Sequence, residues 1–254
     1  MPVSVVMPAF NAERFIEPAI RSLLQEREKV ELDIVIVDDG STDRTREIVQ
    51  SLAKDFREIR LLRNPRKGIA AARNTGLDHV RPDCAFVTFL DADDLSYPGR
   101  IARQRARLIL DPAVDALYGT MVMFSVASES GMAPAEGSPT KIIRGPYLQS
   151  SMYRPSVIRA VGKFDENYRQ GCDTEYMLRV IETQFNLVIE DELTAYYRRH
   201  DANVTLNTKE VQREFAMATM RFAMRRRQRG QVPIPPLLSD LFISRDQIEK
   251  DFSA

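Results

Sequence analysis

The 254-residue sequence is notable first for what it lacks. Its two cysteines, Cys84 and Cys172, are too few for a disulfide framework, and their spacing forms no metal motif. A reducing, cytoplasmic setting is therefore expected. Net charge is also missing: 36 basic and 36 acidic residues cancel, which argues against a surface dedicated to nucleic acid. No stretch approaches the roughly 20 apolar residues of a membrane span. A strand-like run, Val3 to Met7, opens the chain without a basic leader, so secretory targeting is not expected. The sequence has neither an internal repeat nor a dinucleotide-binding glycine fingerprint. Hydrophobic residues at 44% and charged residues at 28% are ordinary for a globular chain, which excludes disorder and fibrous architecture. The length fits one large α/β domain with a smaller extension.

The first hundred residues alternate short apolar runs with helical patterns, as βα units of a mostly parallel sheet do. Strands are expected at Val3 to Met7, Leu32 to Val37, Ile59 to Leu62 and Ala85 to Leu90, each nearly continuous in apolar residues because both faces are covered. Helices are expected at Glu13 to Gln25, Asp43 to Lys54 and Ile69 to Val80. Beyond Asp94 the pattern loosens. A helix from about Tyr97 to Leu110 is followed by strand-like residues Ala116 to Val126 and a loop at Ala127 to Pro139. A helix at Asp173 to Thr183 and strand signals at Leu187 to Ile189 and Leu193 to Tyr197 follow. The tail reads as a helix over Lys209 to Arg229, a break at Gly230 and Pro233 to Pro236, and a short helix around Ser244 to Phe252.

Three polar clusters each follow directly on an apolar strand: Pro8-Ala9-Phe10-Asn11, Asp38-Asp39-Gly40-Ser41 and Asp91-Ala92-Asp93-Asp94. In a parallel sheet their loops share one edge, and ligands of open α/β sheets bind outside the carboxyl ends of the strands. If the strand continues through them, Asp91 and Asp93 project the same way; their mutual repulsion would be relieved by a hard cation, Mg2+ or Mn2+, with positions left for phosphate oxygens. The competing reading is that Asp91 to Asp94 cap the helix near Tyr97. Ser41 or Thr42 would cap the helix after Gly40. Gly68 stands at a helix entrance, and Arg73 can stack on a base or face a phosphate, or pair with a loop aspartate, and these roles are compatible.

In this order and spacing these clusters, with the Gly68-to-Gly76 segment, resemble the family-two glycosyltransferases of the GT-A fold. Gly162-Lys163-Phe164-Asp165-Glu166 resembles that family's loop before the acceptor site, and Tyr197-Arg198-Arg199-His200 its segment near metal and diphosphate. Gly171 to Arg179 resembles its Glu-Asp motif, with Cys172 in place of the glutamate. The resemblance implies a GT-A domain over residues 1–205, with a nucleotide-binding half at 1–95 and an acceptor-binding half at 96–205, and a helical extension at 206–254. It implies a donor-binding set of Pro8, Ala9, Asn11, Asp39, Gly68, Arg73, Asp91 and Ala92. Within that set Asp39, with Arg73 beside it, reaches the base and Asp91 lies near the ribose. It further implies metal contact through Asp93 and His200, and Asp173 as the general base. Glu175 is a rival base, and an N-cap role for Asp173 is the alternative.

The expected reaction is inverting transfer of a sugar from a nucleoside diphosphate sugar, UDP first, to a carbohydrate, lipid-linked or other hydroxyl acceptor in surface polysaccharide or glycoconjugate assembly. Two alternatives stand: a sugar nucleotidyltransferase, which would need no carboxylate base at Asp173, and a non-catalytic nucleotide-sugar-binding protein, suggested by Cys172. Arg221, Arg225, Arg226, Arg227 and Arg229 either meet anionic lipid at the inner face of a membrane or form a solvated helix end.

Overall fold

The computed structural model describes residues 1–201 and 208–230. Its first part is the expected alternation: β1 (Val3–Ala9), α1 (Ile16–Leu24), β2 (Leu32–Asp38), α2 (Thr45–Asp55), β3 (Ile59–Arg63), α3 (Ile69–Asp78) and β4 (Phe86–Phe89). Strands β1 and β2 are buried along their whole length, which is why they read as unbroken apolar runs. The expected helix over Ser244 to Phe252 and the break at Pro233 to Pro236 lie outside the described residues.

The second part holds more structure than the sequence pattern announced. It comprises β5 (Leu95–Ser96), α4 (Arg100–Leu110), β6 (Ala116–Phe124), β7 (Thr140–Arg144), a single 3-10 turn (Leu148–Ser150), β8 (Ser151–Tyr153), α5 (Pro155–Val161), α6 (Cys172–Ile181), β9 (Leu187–Arg198) and α7 (Thr208–Gln228). Strands of two or three residues are too short to show a period. The two strand signals after residue 186 are one strand, because the acidic stretch Glu190-Asp191-Glu192 stays extended between them.

Nine strands form one sheet in the order β3-β2-β1-β4-β8-β6-β9-β5, with β7 added beside β6. β3, β2, β1 and β4 run parallel, as do β6 and β9. β8 enters antiparallel between β4 and β6, and β5 and β7 also pair antiparallel. Helices cover both faces. Ile16, Ile20 and Leu23 of α1, Val49 of α2 and Ile101 and Leu108 of α4 pack with Val3, Val5 and Met7 on one side. Val157, Tyr176, Met177, Ala218 and Phe222, from α5, α6 and α7, pack with Val6, Val87 and Phe89 on the other. The alternation of β1 residues between the two clusters follows from the two-residue period of a strand.

Two local features set the position of the sheet's functional edge. β5 pairs with β9 through Leu95 opposite Tyr196 and Ser96 opposite Ala195, which brings the end of β9 alongside Asp93 and Asp94. Helix α4 starts at Arg100, after β5, and its first turn is capped from another element: Glu26 accepts from the Ile101 N–H (3.0 Å) and the Ala102 N–H (2.8 Å). The acidic turn at residues 91–94 is therefore not the cap of that helix.

The β6/β9 register shifts on either side of Thr120, where Gly119 lets β9 approach closely. A Cβ at Gly119 would lie 2.2 Å from Thr194 Cγ2 and 2.6 Å from the Glu192 carbonyl oxygen, and a neighbouring backbone cannot yield as a flexible side chain can. Gly119→Ala is accordingly expected to cost about 1–3 kcal/mol, a fall in Tm of about 2–4 °C per kcal/mol. An unchanged Tm in thermal denaturation would contradict this close approach.

Candidate active site at the sheet edge

The loops after β1 and β2 are tied to each other before they meet any ligand. Asn11 has φ 46°, a left-handed conformation that asparagine tolerates. From there its N–H donates to Ser41 Oγ (3.0 Å) and its Oδ1 accepts from the Thr42 N–H (2.8 Å). Ser41 and Thr42 are thus occupied with Asn11, and the start of α2 is held by Asp43, which accepts from the Thr45 and Glu13 N–H groups at 3.0 Å each. Burial works to raise the Asp43 carboxyl, but the bonds from Thr45 and Glu13 outweigh it and leave it lowered. Pro8 and Ala9 are buried at the end of β1, opposite Val37 and Asp38.

Two residues of the implied donor-binding set, Asp39 and Gly68, are hydrogen-bonded to each other. The Asp39 carboxylate accepts from Asn64 Nδ2 (2.6 Å) and from the Gly68 N–H (2.9 and 3.1 Å to its two oxygens). Gly68 has φ 111°, a conformation L side chains rarely adopt. Asp39 remains half-buried, with lone pairs still available at the edge.

Arg73 does not lie beside Asp39. It projects from α3 into the interior, 2% exposed. There its Nη2 donates to Asp91 Oδ1 (2.9 Å), its Nη1 to Cys172 Sγ (3.2 Å), and its guanidinium faces the Phe164 ring at 5.6 Å. Burial opposes the charge, but the negative Asp91 and the nearby Asp173 outweigh it, and the net shift is upward. The ion pair with a loop aspartate, one of the two compatible roles of Arg73, is present. The remaining Asp91 oxygen accepts from Gln149 Nε2 of the 3-10 turn.

The expected parallel projection of Asp91 and Asp93 is not found. Strand β4 ends at Phe89, and the chain turns so that the Asp94 N–H donates to the Asp91 carbonyl (3.1 Å). The turn separates the two carboxylates: Asp91 goes to Arg73 and Gln149, and Asp93 Oδ2 lies 3.0 Å from His200 Nε2. His200 packs on Phe15 with ring centres 4.4 Å apart. Arg198 closes this corner, its N–H donating to Asp94 Oδ1 (2.9 Å) and its Nε to the Asp93 carbonyl (3.1 Å), while its guanidinium sits over Phe124 and Phe15. Burial, followed by the charges of Asp93 and Asp91, pushes the Asp94 carboxyl well above the usual range. Ala92 is buried within the turn.

An imidazole nitrogen and a carboxylate oxygen 3.0 Å apart can bind one cation. Among the described residues no group of three acidic, histidine or cysteine side chains converges.

Asp173 lies in the first turn of α6 and is half-buried, its Oδ1 accepting from the Thr174 N–H (2.8 Å). Glu175 is buried and held by Arg179 Nε at 2.9 and 3.0 Å, and Arg179 in turn donates to the Val161 and Lys163 carbonyls. Of the two candidate bases, only Asp173 presents a carboxylate free of such an ion pair. Burial pushes the Cys172 thiol up to about 12, so it faces Arg73 as a neutral group. The loop before α6 is fixed by Asn74 of α3, which donates to the Phe164 carbonyl (3.0 Å) and Glu166 Oε1 (2.9 Å) and accepts from the Phe164 N–H (2.8 Å). Gln149, Asn64 and Asn74 were not singled out by the sequence as parts of the site. Each is one polar residue whose partner lies elsewhere in the chain, and no spacing marks it.

Three arginines at the end of α7 and just after it are ion-paired, although Arg221 and Arg229 remain exposed. Arg221 pairs with Asp165 (3.1 Å), and Arg225 and Arg229 pair with Glu182 (2.8 and 3.5 Å). Met217, Met220 and Met224 of the same helix are also exposed. No helix among the described residues is long and apolar enough to cross a membrane.

A sequence model described as Glycosyl transferase family 2 matches residues 4–163. The Campylobacter jejuni protein named GalNAc(5)-diNAcBac-PP-undecaprenol beta-1,3-glucosyltransferase is 38% identical over 102 residues, 39% of this chain and 32% of that protein. The chain spans 40% or less of the first curated relatives it matches. Among solved structures, S. aureus TarS 1-349 in complex with UDP-GlcNAc superposes with a TM-score of 0.64 at 18% identity, covering 87% of this chain and 67% of that one. The mannosyltransferase PcManGT from Pyrobaculum calidifontis, in complex with GDP-Man and Mn2+, gives 0.67 at 19% identity, covering 93% and 66%. These two likenesses are of fold.

Asn74 satisfies two backbone groups at once, and truncating it strands both inside the protein. Asn74→Ala is expected to lower stability by about 2 kcal/mol or more, read as a lower urea midpoint at unchanged slope. A midpoint equal to that of the wild type would mean that the 162–166 loop does not depend on it.

Proposed function

The chain belongs to glycosyl transferase family 2, and on that premise we propose that it transfers a sugar from a nucleoside diphosphate sugar to an acceptor hydroxyl with inversion at the anomeric carbon. The observation that carries the reading is the buried Arg73, which joins Asp91 in the turn after β4 to Cys172 at the start of α6. One buried cation thereby couples the turn bearing Asp93 to the helix bearing Asp173.

In this reading the loops after β1 and β2, cross-linked by Asn11, form the floor for the nucleoside. Asp39 and the Gly68 backbone meet the base, and Asp91 lies near the ribose. Asp93 and His200 would hold a divalent cation, which when bound neutralises charge on the departing diphosphate. Asp173 orients the acceptor hydroxyl and takes its proton. The acceptor oxygen forms its bond to the anomeric carbon as the bond from that carbon to the phosphate oxygen breaks, and the electron pair leaves with the diphosphate. A single displacement with one base inverts the centre. Arg73, fixed by two partners, and Glu175, paired with Arg179, take no part in proton transfer.

The donor is proposed to be a UDP sugar first. The TarS complex with UDP-GlcNAc supports UDP and the PcManGT complex supports GDP. The acceptor is proposed to be a carbohydrate or lipid-linked hydroxyl in glycan assembly, in line with the Campylobacter jejuni relative's printed name.

Calorimetric titration of UDP, GDP and dTDP, each with and without Mn2+, tests the donor site. Wild type is expected to bind one nucleotide in a metal-dependent way, Asp93→Ala to bind it about tenfold or more weakly, and Asp173→Asn to keep binding while losing turnover. Turnover retained in Asp173→Asn would favour a nucleotidyltransferase. Failure of all three nucleotides to bind under either condition would remove the glycosyltransferase reading.

A further inference from the structure

Helix α6 begins without a cap from its own side chains, although its first turn carries Asp173. The loop entering it is held from α7, the last helix among the described residues. Glu214 of α7, 2% exposed, accepts three successive N–H groups just before α6: Arg169 on Oε1 (3.0 Å), and Gln170 (2.8 Å) and Gly171 (2.7 Å) on Oε2. Three consecutive amides converging on one carboxylate form the concave backbone arrangement that binds anions, here filled by a side chain of the same molecule. Glycine at 171 suits the contact, since a Cβ there would stand 3.0 Å from the Glu214 Cβ and press on it. Arg221, two turns along α7, adds a second hold on the same loop through Asp165 (3.1 Å) and the Tyr168 ring (5.5 Å).

We propose that Glu214 is a positioning residue for glycosyl transfer, fixing through amides 169–171 the helix start from which Asp173 meets the acceptor hydroxyl. The inference rests on the reading of Asp173 as the base. Its physical content is that Asp173 follows the clamped amides by only two residues, and a carboxylate that must align with one hydroxyl loses rate steeply with small displacements. A carboxylate clamp of this kind is stiffer than a water-solvated helix start, because charge-assisted bonds are the stronger class. Burial works to raise the Glu214 carboxyl, and the three amides outweigh it and hold it lowered, consistent with an ionised clamp. The alternative is that Glu214 only stabilises the docking of α7 on α6.

The experiment is a double-mutant cycle with Asp173→Ala and Glu214→Gln on the full chain. It is read as kcat and donor KM for hydrolysis of the nucleotide sugar by water, with amide hydrogen exchange measured on the same samples. Glu214→Gln is expected to raise exchange at residues 169–174 and to lower kcat by about tenfold or more with donor KM within about twofold. In the Asp173→Ala background it is expected to have no further effect on kcat. Gly171→Ala should reproduce the loss with the Glu214 carboxylate intact, which guards against a variant that merely folds poorly. Unchanged exchange at residues 169–174, or an equal kcat loss in both backgrounds, would overturn the proposal. Full turnover in Asp173→Ala alone would instead remove the base reading, whatever Glu214→Gln does.

Discussion

The structure depends on how it accommodates the buried charge of Arg73. A guanidinium 2% exposed needs its charge met inside the protein; here Nη1 and Nη2 are bonded, while Nε has no hydrogen-bond partner among the described residues. The groups that meet it come from different parts of the chain: Asp91 after β4 and Cys172 at the start of α6. Removing one partner of a buried pair typically costs about 3–5 kcal/mol because the other is left uncompensated. The desolvation penalty therefore acts as a constraint on geometry. So long as Arg73 is charged and buried, the turn carrying Asp93 and the helix carrying Asp173 stay in contact with the same side chain. The neutral Cys172 thiol supplies a soft acceptor without adding a second negative charge, so Asp91 carries the direct ion pair.

Around that cation the sheet edge is assembled by short pairings. β5 has two residues, yet its pairing with β9 brings Arg198 and His200 to Asp94 and Asp93. Helix starts follow the same pattern. The first turn of α4 and the loop entering α6 are held by carboxylates from elsewhere in the chain, Glu26 and Glu214, so each of these helix starts is fixed relative to another part of the chain. An edge built from such cross-links is organised before ligand arrives, which reduces the ordering cost of binding.

Much of the first half was legible in the sequence for a physical reason. Strands β1 and β2 are covered on both faces, so composition alone marks them, and the polar residues that follow mark the edge where ligands bind. The pairing of Asp39 with Gly68 and of Asp93 with His200 brought together residues that the clusters and the family resemblance had singled out. The geometry within the clusters was less legible. Asp91 and Asp93 were read as if still in a strand, but the chain turns after Phe89 and sends them to different partners. Arg73 could be read as facing ligand or as pairing with a loop aspartate, and it is buried against Phe164 and Cys172, which are far away in sequence. β8 and β5 are shorter than any period, and the roles of Asn74 and Glu214 exist only in tertiary contact. The α7 arginines formed a visible cluster, yet their partners Asp165 and Glu182 lie on elements that the run itself could not indicate.

The central claim is that Asp93 and His200 form a cation site completed by a nucleoside diphosphate, and the chain's histidine content makes it directly measurable. Only His79 and His200 occur, and His79 lies at the far end of α3, its ring bonded to the Thr75 carbonyl (2.8 Å). Proton NMR of the two imidazoles, with Mn2+ added in the presence and absence of a nucleoside diphosphate, reports which ring lies beside the paramagnetic ion. The account predicts that the His200 resonance broadens strongly when nucleotide is present while that of His79 stays sharp. Equal broadening of both rings, or none at His200 with nucleotide bound, would contradict it.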